Sequence, residues 1–384
     1  MRVLLVGNYP PDAQQSMLRF AKLLVQWLPA NGCEVSVAHP RERWLRLASG
    51  SGRSGAGSKW LGYFDKYLVF PRELRRAAAK AEVVHVVDHS NAVYLPSPGR
   101  ASAPWVVTCH DLLAVRGALG EDTDCPASTL GRRLQRHIVA GLGRADAVAC
   151  DSTSTLDDLQ RIVPLTPPDQ QRRLILLGMG HPYRRLEPAE ARRRLATLPD
   201  VPWDRPFLLH VGSNLRRKNK AGVLRVLGHL RDRWQGNVVF CGAEISPELA
   251  TIATALGVRE RVFAVAAPTN DQLEAAYSVA HGLIYPSKCE GFGWPIVEAQ
   301  ACGCPVICSD RTSLPEVAGD AGLVFPLGDE AGMAEAVLRL ADDGFRTGVI
   351  QRGLANVARF NPQRMIADYL EVYGRALALR GRTP

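Results

Sequence analysis

Two glutamates separated by seven residues, Glu290 and Glu298, mark the most chemically informative stretch of the 384-residue chain, running from Tyr285 to Ile307. An apolar run ends at Tyr285, Gly291 and Gly293 follow in a loop where the backbone can come close to a ligand, and Pro295 suits the first position of a helix. Amides of residues 292 to 296, at such a helix start, form a site for negative charge. Two acids beside a phosphate-sized site cannot both bind phosphate. They serve better as acceptors for hydroxyl donors, which a sugar and a ribose supply. Isolated glutamates more often complement a helix dipole or stay solvated, so the residues alone leave both readings open.

Cations come next. The run His210-Val211-Gly212-Ser213-Asn214-Leu215-Arg216-Arg217-Lys218-Asn219 joins a strand to a helix and places Arg217 and Lys218 at the strand's carboxyl end. They can neutralise a leaving diphosphate without a metal. Taken alone, a basic run from Arg216 to Lys220 is more often a solvated helix start. In the N-terminal half, His110-Asp111 follows the run Val106 to Cys109, and the polar cluster Asp88-His89-Ser90-Asn91 follows Val83 to Val87. Strand ends of this kind are where open α/β sheets bind ligands.

These groups need a frame that fixes strand ends. Strands are predicted at Arg2 to Val6, Glu34 to Ala38, Val83 to Val87, Trp105 to Cys109 and Ala147 to Cys150, with an amphipathic segment from Ser16 to Leu28. The rhythm restarts at Phe207 to Gly212 and continues through Val238 to Cys241, Val262 to Val265, Leu283 to Tyr285, Val306 to Cys308 and Leu323 to Phe325. Helical patterns there cover Ala221 to Arg233, Gln272 to Ala280 and Ala331 to Leu340. Parallel strands need crossovers, so the alternation predicts two tandem α/β domains with helices on both sheet faces. The expected divisions are 1–185, 186–360 and a terminal helix in 361–384, Pro362 to Leu379, packing back toward the N-terminal domain. The Arg/Pro-rich stretch from Gly180 to Pro206 reads as the connection, with a short helix near Ala189 to Leu198.

With these elements in place, the segment around Glu290 and Glu298 resembles the donor-site signature of retaining glycosyltransferases of the GT-B fold, family four. The resemblance implies two Rossmann-like parallel-sheet domains facing an interdomain cleft, with the nucleotide-sugar donor on the C-terminal side and the acceptor on the N-terminal side. It assigns Glu290 to the transferred sugar, Glu298 to the ribose hydroxyls, and Gly291, Phe292, Gly293 and Trp294 to sugar and diphosphate. Arg217 and Lys218 match the family's cationic pair, and His110 matches a histidine that reaches the donor sugar. Catalytic roles fall to Glu290, His110 and Lys218. The expected reaction is metal-independent hexosyl transfer from a UDP or GDP donor to a glycan, lipid-linked sugar or small molecule, with no cofactor beyond the donor. A phosphorylase, a sugar-nucleotide epimerase or a non-catalytic nucleotide-sugar binder on the same fold are the alternatives.

The chain also departs from the family. Relatives often carry a Gly-Gly loop after the first strand, whereas Asp12 to Met17 stand here, leaving Gln15 and Ser16 as side-chain donors on the acceptor side with Asp88, His89 and Asn91. Ser213 stands where some relatives place an arginine. Backbone groups near Ala266 to Pro268 are the expected base-recognition segment. Asp122-Thr123-Asp124 reads literally as an Asp-x-Asp metal motif, but its polar loop context makes it a chance match.

Charge and composition set the outer limits. A net charge of +9 implies an anionic partner, and the motifs favour a phosphorylated ligand over nucleic acid. Nine cysteines without a Cys-x-x-Cys pair read as reduced thiols, and Cys302, Cys304 and Cys308 as small buried side chains rather than metal ligands. No stretch approaches the ~20 apolar residues of a membrane span, so a cytoplasmic protein is expected. The aromatic and basic segment Lys59 to Arg76 is either core or a peripheral contact with an anionic membrane.

Overall fold

The computed structural model describes residues 1–12, 14–42, 61–97, 101–165, 169–198 and 200–381. It divides into two compact units: residues 1–119, 127–180 and 362–384 form unit 1, and residues 120–126 and 181–361 form unit 2. The chain enters unit 2 five residues before the expected division. The reason is local, since Tyr183 already donates to Asn270 (3.3 Å) and the Arg184 amide to Glu274 (3.0 Å).

Unit 1 holds six parallel strands, β1 (Arg2–Val6), β2 (Glu34–Ala38), β3 (Val83–Val86), β4 (Trp105–Cys109), β5 (Ala147–Cys150) and β6 (Gln171–Leu174), in the order β2-β1-β3-β4-β5-β6. Strands β3, β4 and β5 are buried throughout, which is why they are nearly continuous runs of apolar residues. The polar edge strand β6 was not anticipated. Its Arg172 turns away from the ladder and caps the preceding helix Thr153–Ile162, donating to the carbonyls of Leu159 (3.1 Å) and Val163 (2.6 Å).

The helix Pro362–Leu379 packs within unit 1, burying Met365, Ile366, Tyr369, Val372, Tyr373, Ala376 and Leu377 along one stripe. Gly178 shows how closely it approaches: a Cβ there would lie 2.4 Å from the Cα of Pro362.

Unit 2 repeats the plan with β7 (Phe207–Val211), β8 (Asn237–Cys241), β9 (Val262–Val265), β10 (Gly282–Tyr285), β11 (Val306–Ser309) and β12 (Gly322–Phe325), all parallel, in the order β12-β11-β10-β7-β8-β9. Cys302, Cys304 and Cys308 are buried thiols, and burial pushes Cys304 and Cys308 up to about 12. No helix among the described residues is long and apolar enough to cross a membrane.

In each unit the strand order reverses once, between β1 and β3 in unit 1 and between β7 and β10 in unit 2. Loops leaving neighbouring strands on either side of such a point diverge and open a crevice at the carboxyl ends. Asn8 and Asp88 follow β1 and β3; Lys218 and Glu290 follow β7 and β10.

Candidate active site

Glu290 is the hub of unit 2. Its carboxylate accepts from Arg217 Nη1 at 2.8 Å, Lys218 Nζ at 2.7 Å and the Tyr285 hydroxyl at 3.0 Å. Burial alone would push this carboxyl up, but the charges of Lys218 and Arg217 outweigh it and hold the group below the usual carboxylate range. Lys218 also donates to the Tyr285 hydroxyl at 2.9 Å, and its aliphatic stem lies against Gly212, where a Cβ would sit 3.3 Å from Cδ. The cations read as diphosphate ligands thus rest on the very acid read as the sugar contact.

The backbone around this hub is fixed by groups that spacing did not reveal. Thr312 Oγ1 accepts the Glu290 amide at 2.9 Å, and Ser313 Oγ donates to the carbonyls of Phe292 (2.8 Å) and Glu290 (3.2 Å). Asn219 donates to the Pro286 carbonyl at 3.0 Å while its Oδ1 caps the helix Lys220–His229 at Gly222. Four described non-glycine residues have positive φ: Asp124 (64°), Asn219 (51°), Ala267 (46°) and Thr312 (50°). Three of them bond directly to segments that carry Arg217 or Glu290, and the fourth lies in the expected base-recognition segment. Such conformations cost on the order of 1–3 kcal/mol and concentrate where surrounding structure over-determines them, commonly at functional sites.

Gly293 adopts φ 107° and caps the helix Trp294–Ala301 without a side-chain hydrogen bond. The expectation of open amides from 292 to 296 needs correction. Pro295 has no N–H, and the Ile296 amide donates to the Gly293 carbonyl at 3.0 Å. The rings of Phe292 and Trp294 pack edge to face at 5.2 Å and both are buried, so this loop presents backbone more than aromatic surface. Glu298, 2% exposed, accepts from the Tyr277 hydroxyl at 3.0 Å.

The carboxylates of the Asp-x-Asp segment engage arginine and amide donors. Asp124 accepts the Arg217 amide (2.8 Å) and Arg216 Nε (3.0 Å), while Asp122 accepts Arg216 Nη2 (3.0 Å). Elsewhere in unit 2, His181, Asp271 and Glu274 bring ligand-type atoms within 4.8 Å of one another. Both Glu274 oxygens are already engaged, by the Arg184 amide and by Arg194 Nη1 at 2.8 Å.

In unit 1, Asn8 donates to Asp88 at 2.6 Å and accepts from Asn91 at 2.9 Å. Asp88 also accepts from the amide and hydroxyl of Ser90 and lies 3.1 Å from His89 Nδ1. Burial opposes ionisation of Asp88, yet the bond and charge of His89 hold its carboxyl far below the usual range. The acid called acceptor-side is therefore saturated and shapes the turn His89–Tyr94. Gln15 and Ser16 are exposed at the start of the helix Gln15–Trp27; Gln14, not Gln15, meets Asn8. His110 contacts Asp151 through Nδ1 (2.7 Å) and the Val87 carbonyl through Nε2 (2.9 Å). Burial pushes its imidazole down, but the Asp151 charge and hydrogen bond prevail and raise it to about 9. Both ring nitrogens are engaged, so His110 acts as a fixed cation within unit 1.

Sucrose-phosphate synthase from Thermosynechococcus elongatus superposes with a TM-score of 0.74 at 20% identity, covering 99% of this chain and 100% of that one. The Anabaena protein HepE, solved in complex with UDP-glucose, superposes with a TM-score of 0.70 at 15% identity over 97% and 99% of the two chains. These likenesses and the paired parallel sheets define the GT-B fold class. Residues 17–171 match the model of Glycosyltransferase Family 4, and residues 199–353 match that of Glycosyl transferases group 1. The chain belongs to this group 1 glycosyltransferase family. D-inositol 3-phosphate glycosyltransferase of Acidothermus cellulolyticus is 29% identical over 330 residues, 80% of this chain and 71% of the relative. O-antigen chain mannosyltransferase B of Escherichia coli is 42% identical over 105 residues, a match spanning only 27% of this chain and 28% of the other.

Proposed function

We propose that this glycosyltransferase moves a hexosyl group from a UDP or GDP donor to an acceptor hydroxyl with retention of anomeric configuration and without a metal. The observation that carries the reading is the Glu290 carboxylate held by Arg217, Lys218 and Tyr285 at the switch point between β7 and β10. Arg217 and Lys218 supply the charge that a departing diphosphate needs. Glu290, ionised, accepts hydroxyl hydrogens of the transferred sugar, and Glu298 those of the ribose. With both oxygens engaged by cations and a phenol, Glu290 is a poor nucleophile. Same-face attack suits it better: the C1–phosphate bond breaks, the acceptor oxygen bonds to C1, and the acceptor's proton passes to the departing phosphate oxygen.

Unit 1 supplies the acceptor side. The Asn8, Asp88, His89 and Asn91 cluster stands at its own switch point, and the fixed charge of His110 lies within bonding distance of the β3 end at Val87. A lipid-linked acceptor would fit the side chains of Tyr63, Phe64, Tyr67 and Leu68, which are exposed among the described residues and precede Arg72, Arg75 and Arg76. Trp60 and the earlier part of that segment lie outside the described residues. The deciding experiment incubates the wild-type protein with a panel of UDP- and GDP-hexoses and simple polyol acceptors, following nucleoside diphosphate release and anomeric product configuration. Inverted product, or no release with any donor, overturns the reading.

A further inference from the structure

Residues 120–126 stand with unit 2 although residues 119 and 127, on either side, belong to unit 1. This short insert touches both loops that carry the charged hub. The Thr123 carbonyl accepts the Cys289 thiol at 3.7 Å, next to Glu290, and Thr123 is itself 2% exposed. Asp124 accepts the Arg217 amide through Oδ2 and Arg216 Nε through Oδ1.

The Arg217 amide lies in the short 3-10 turn Arg216–Lys218, where the first N–H groups have no partner within the turn. Asp124 is the acceptor that satisfies it. On the other side of the same residue, the Arg217 carbonyl accepts the Lys288 amide at 2.7 Å. Arg217 is thus pinned at both ends of its own peptide frame, once by Asp124 and once by the Glu290 loop. The direction in which Arg217 and Lys218 leave the main chain follows from these two bonds.

Asp124 holds φ at 64°, a conformation unfavourable for a residue with a Cβ. Its two oxygens are spent on the turn rather than left for solvent, and interaction with Arg217 and Arg216 offsets burial and keeps the carboxyl below its usual range.

We infer that Asp124 is a positioning residue for the donor diphosphate, acting through the Arg217 amide to fix the turn that presents Arg217 and Lys218. The inference rests on the reading that this turn receives the diphosphate.

Calorimetric titration of UDP and GDP into the full-length wild type, Asp124→Ala and Asp124→Asn tests it, with Glu335→Ala as a control that breaks an exposed pair with Arg233, in the turn after the helix Lys220–His229. Asp124→Ala is expected to weaken the diphosphate that binds wild type by about tenfold, the scale of losing the charge-assisted bond to the Arg217 amide. Asp124→Asn keeps an oxygen for the Arg217 amide and should recover part of that loss, to within about threefold of wild type. A lower melting point with unchanged affinity in Asp124→Ala would mean scaffold support only and overturns the proposal. If Asp124→Ala does not fold, Asp124→Gly, which suits the positive φ, takes its place with the same expected loss, and wild-type affinity in that variant overturns the proposal equally. Failure of wild type to bind either diphosphate removes the donor reading itself, and the Asp124 role with it.

Discussion

His85, on β3, and Tyr373, 288 residues further along the chain, share a hydrogen bond of 2.7 Å in the interior of unit 1. The other ring nitrogen of His85 lies 2.8 Å from Thr108 Oγ1, which lies 2.8 Å from the Tyr369 hydroxyl. Two strands and the last helix are therefore joined by one continuous polar chain inside an apolar shell.

Tyr373→Phe leaves one nitrogen of a buried imidazole without a partner, and should cost about 1–3 kcal/mol. Tyr369→Phe should cost less, because Thr108 still serves His85. Urea denaturation of the two variants beside wild type measures the difference, and equal midpoints would refute the ordering.

Stability should fall on both sides of neutrality for opposite reasons. Burial depresses His85 from 6.5 to about 3, so its contribution is complete above 6.5 and fades as pH drops toward 3. His110 is raised from 6.5 to about 9, so its contribution is complete below 6.5 and is lost as pH climbs through 9. His110→Asn should flatten the alkaline limb by on the order of 3 kcal/mol while keeping most of the acid limb, which burial of His85 sets first and the His110 charge second. Unfolding free energies from pH 5 to 10 provide the comparison.

Glu290→Gln should separate turnover from product affinity. Transfer should fall by at least about a hundredfold, the scale of losing a preorganised charged contact. Diphosphate affinity should hold or tighten, since Arg217 and Lys218 no longer share their charge with a carboxylate. Steady-state rates and UDP or GDP titrations on the same preparation test both halves.

Gly293→Ala places a methyl 3.1 Å from Leu314 Cδ2 at a φ of 107°. The expected cost is about 1–3 kcal/mol, with the loop that carries Glu290 displaced and transfer reduced more than stability. Thermal melts and donor KM report the two effects separately.

Tyr67→Glu with Leu68→Glu should abolish co-sedimentation with phosphatidylglycerol vesicles if that face meets a membrane, without altering transfer to a soluble polyol. Equal sedimentation of variant and wild type would remove the membrane reading.

The sequence makes buried strands and the acidic pair readable because each depends on side-chain type at fixed intervals. Val83 to Val86 can hardly be anything but a central strand, and Glu290 with Glu298 stands out once the family resemblance is seen. Strand β6 escapes because Arg172 obeys a capping demand and Arg173 pairs with Glu371, rather than following a sheet pattern. Asp124, Asn219 and Thr312 escape for another reason. Their contribution lies in main-chain handedness and in bonds to peptide groups, neither of which leaves a periodic signal. Tyr277 and Tyr285 read only as strand and helix filler until their hydroxyls meet Glu298 and Glu290.

The chain passes between its two units at 119/120, 126/127, 180/181 and 361/362. Anyone building a hybrid with a relative therefore cannot splice once at the midpoint. Exchange of unit 2 must transplant the seven-residue insert along with 181–361 and leave the final helix with its original host; a single-crossover chimera would inherit a mismatched anchor in each half.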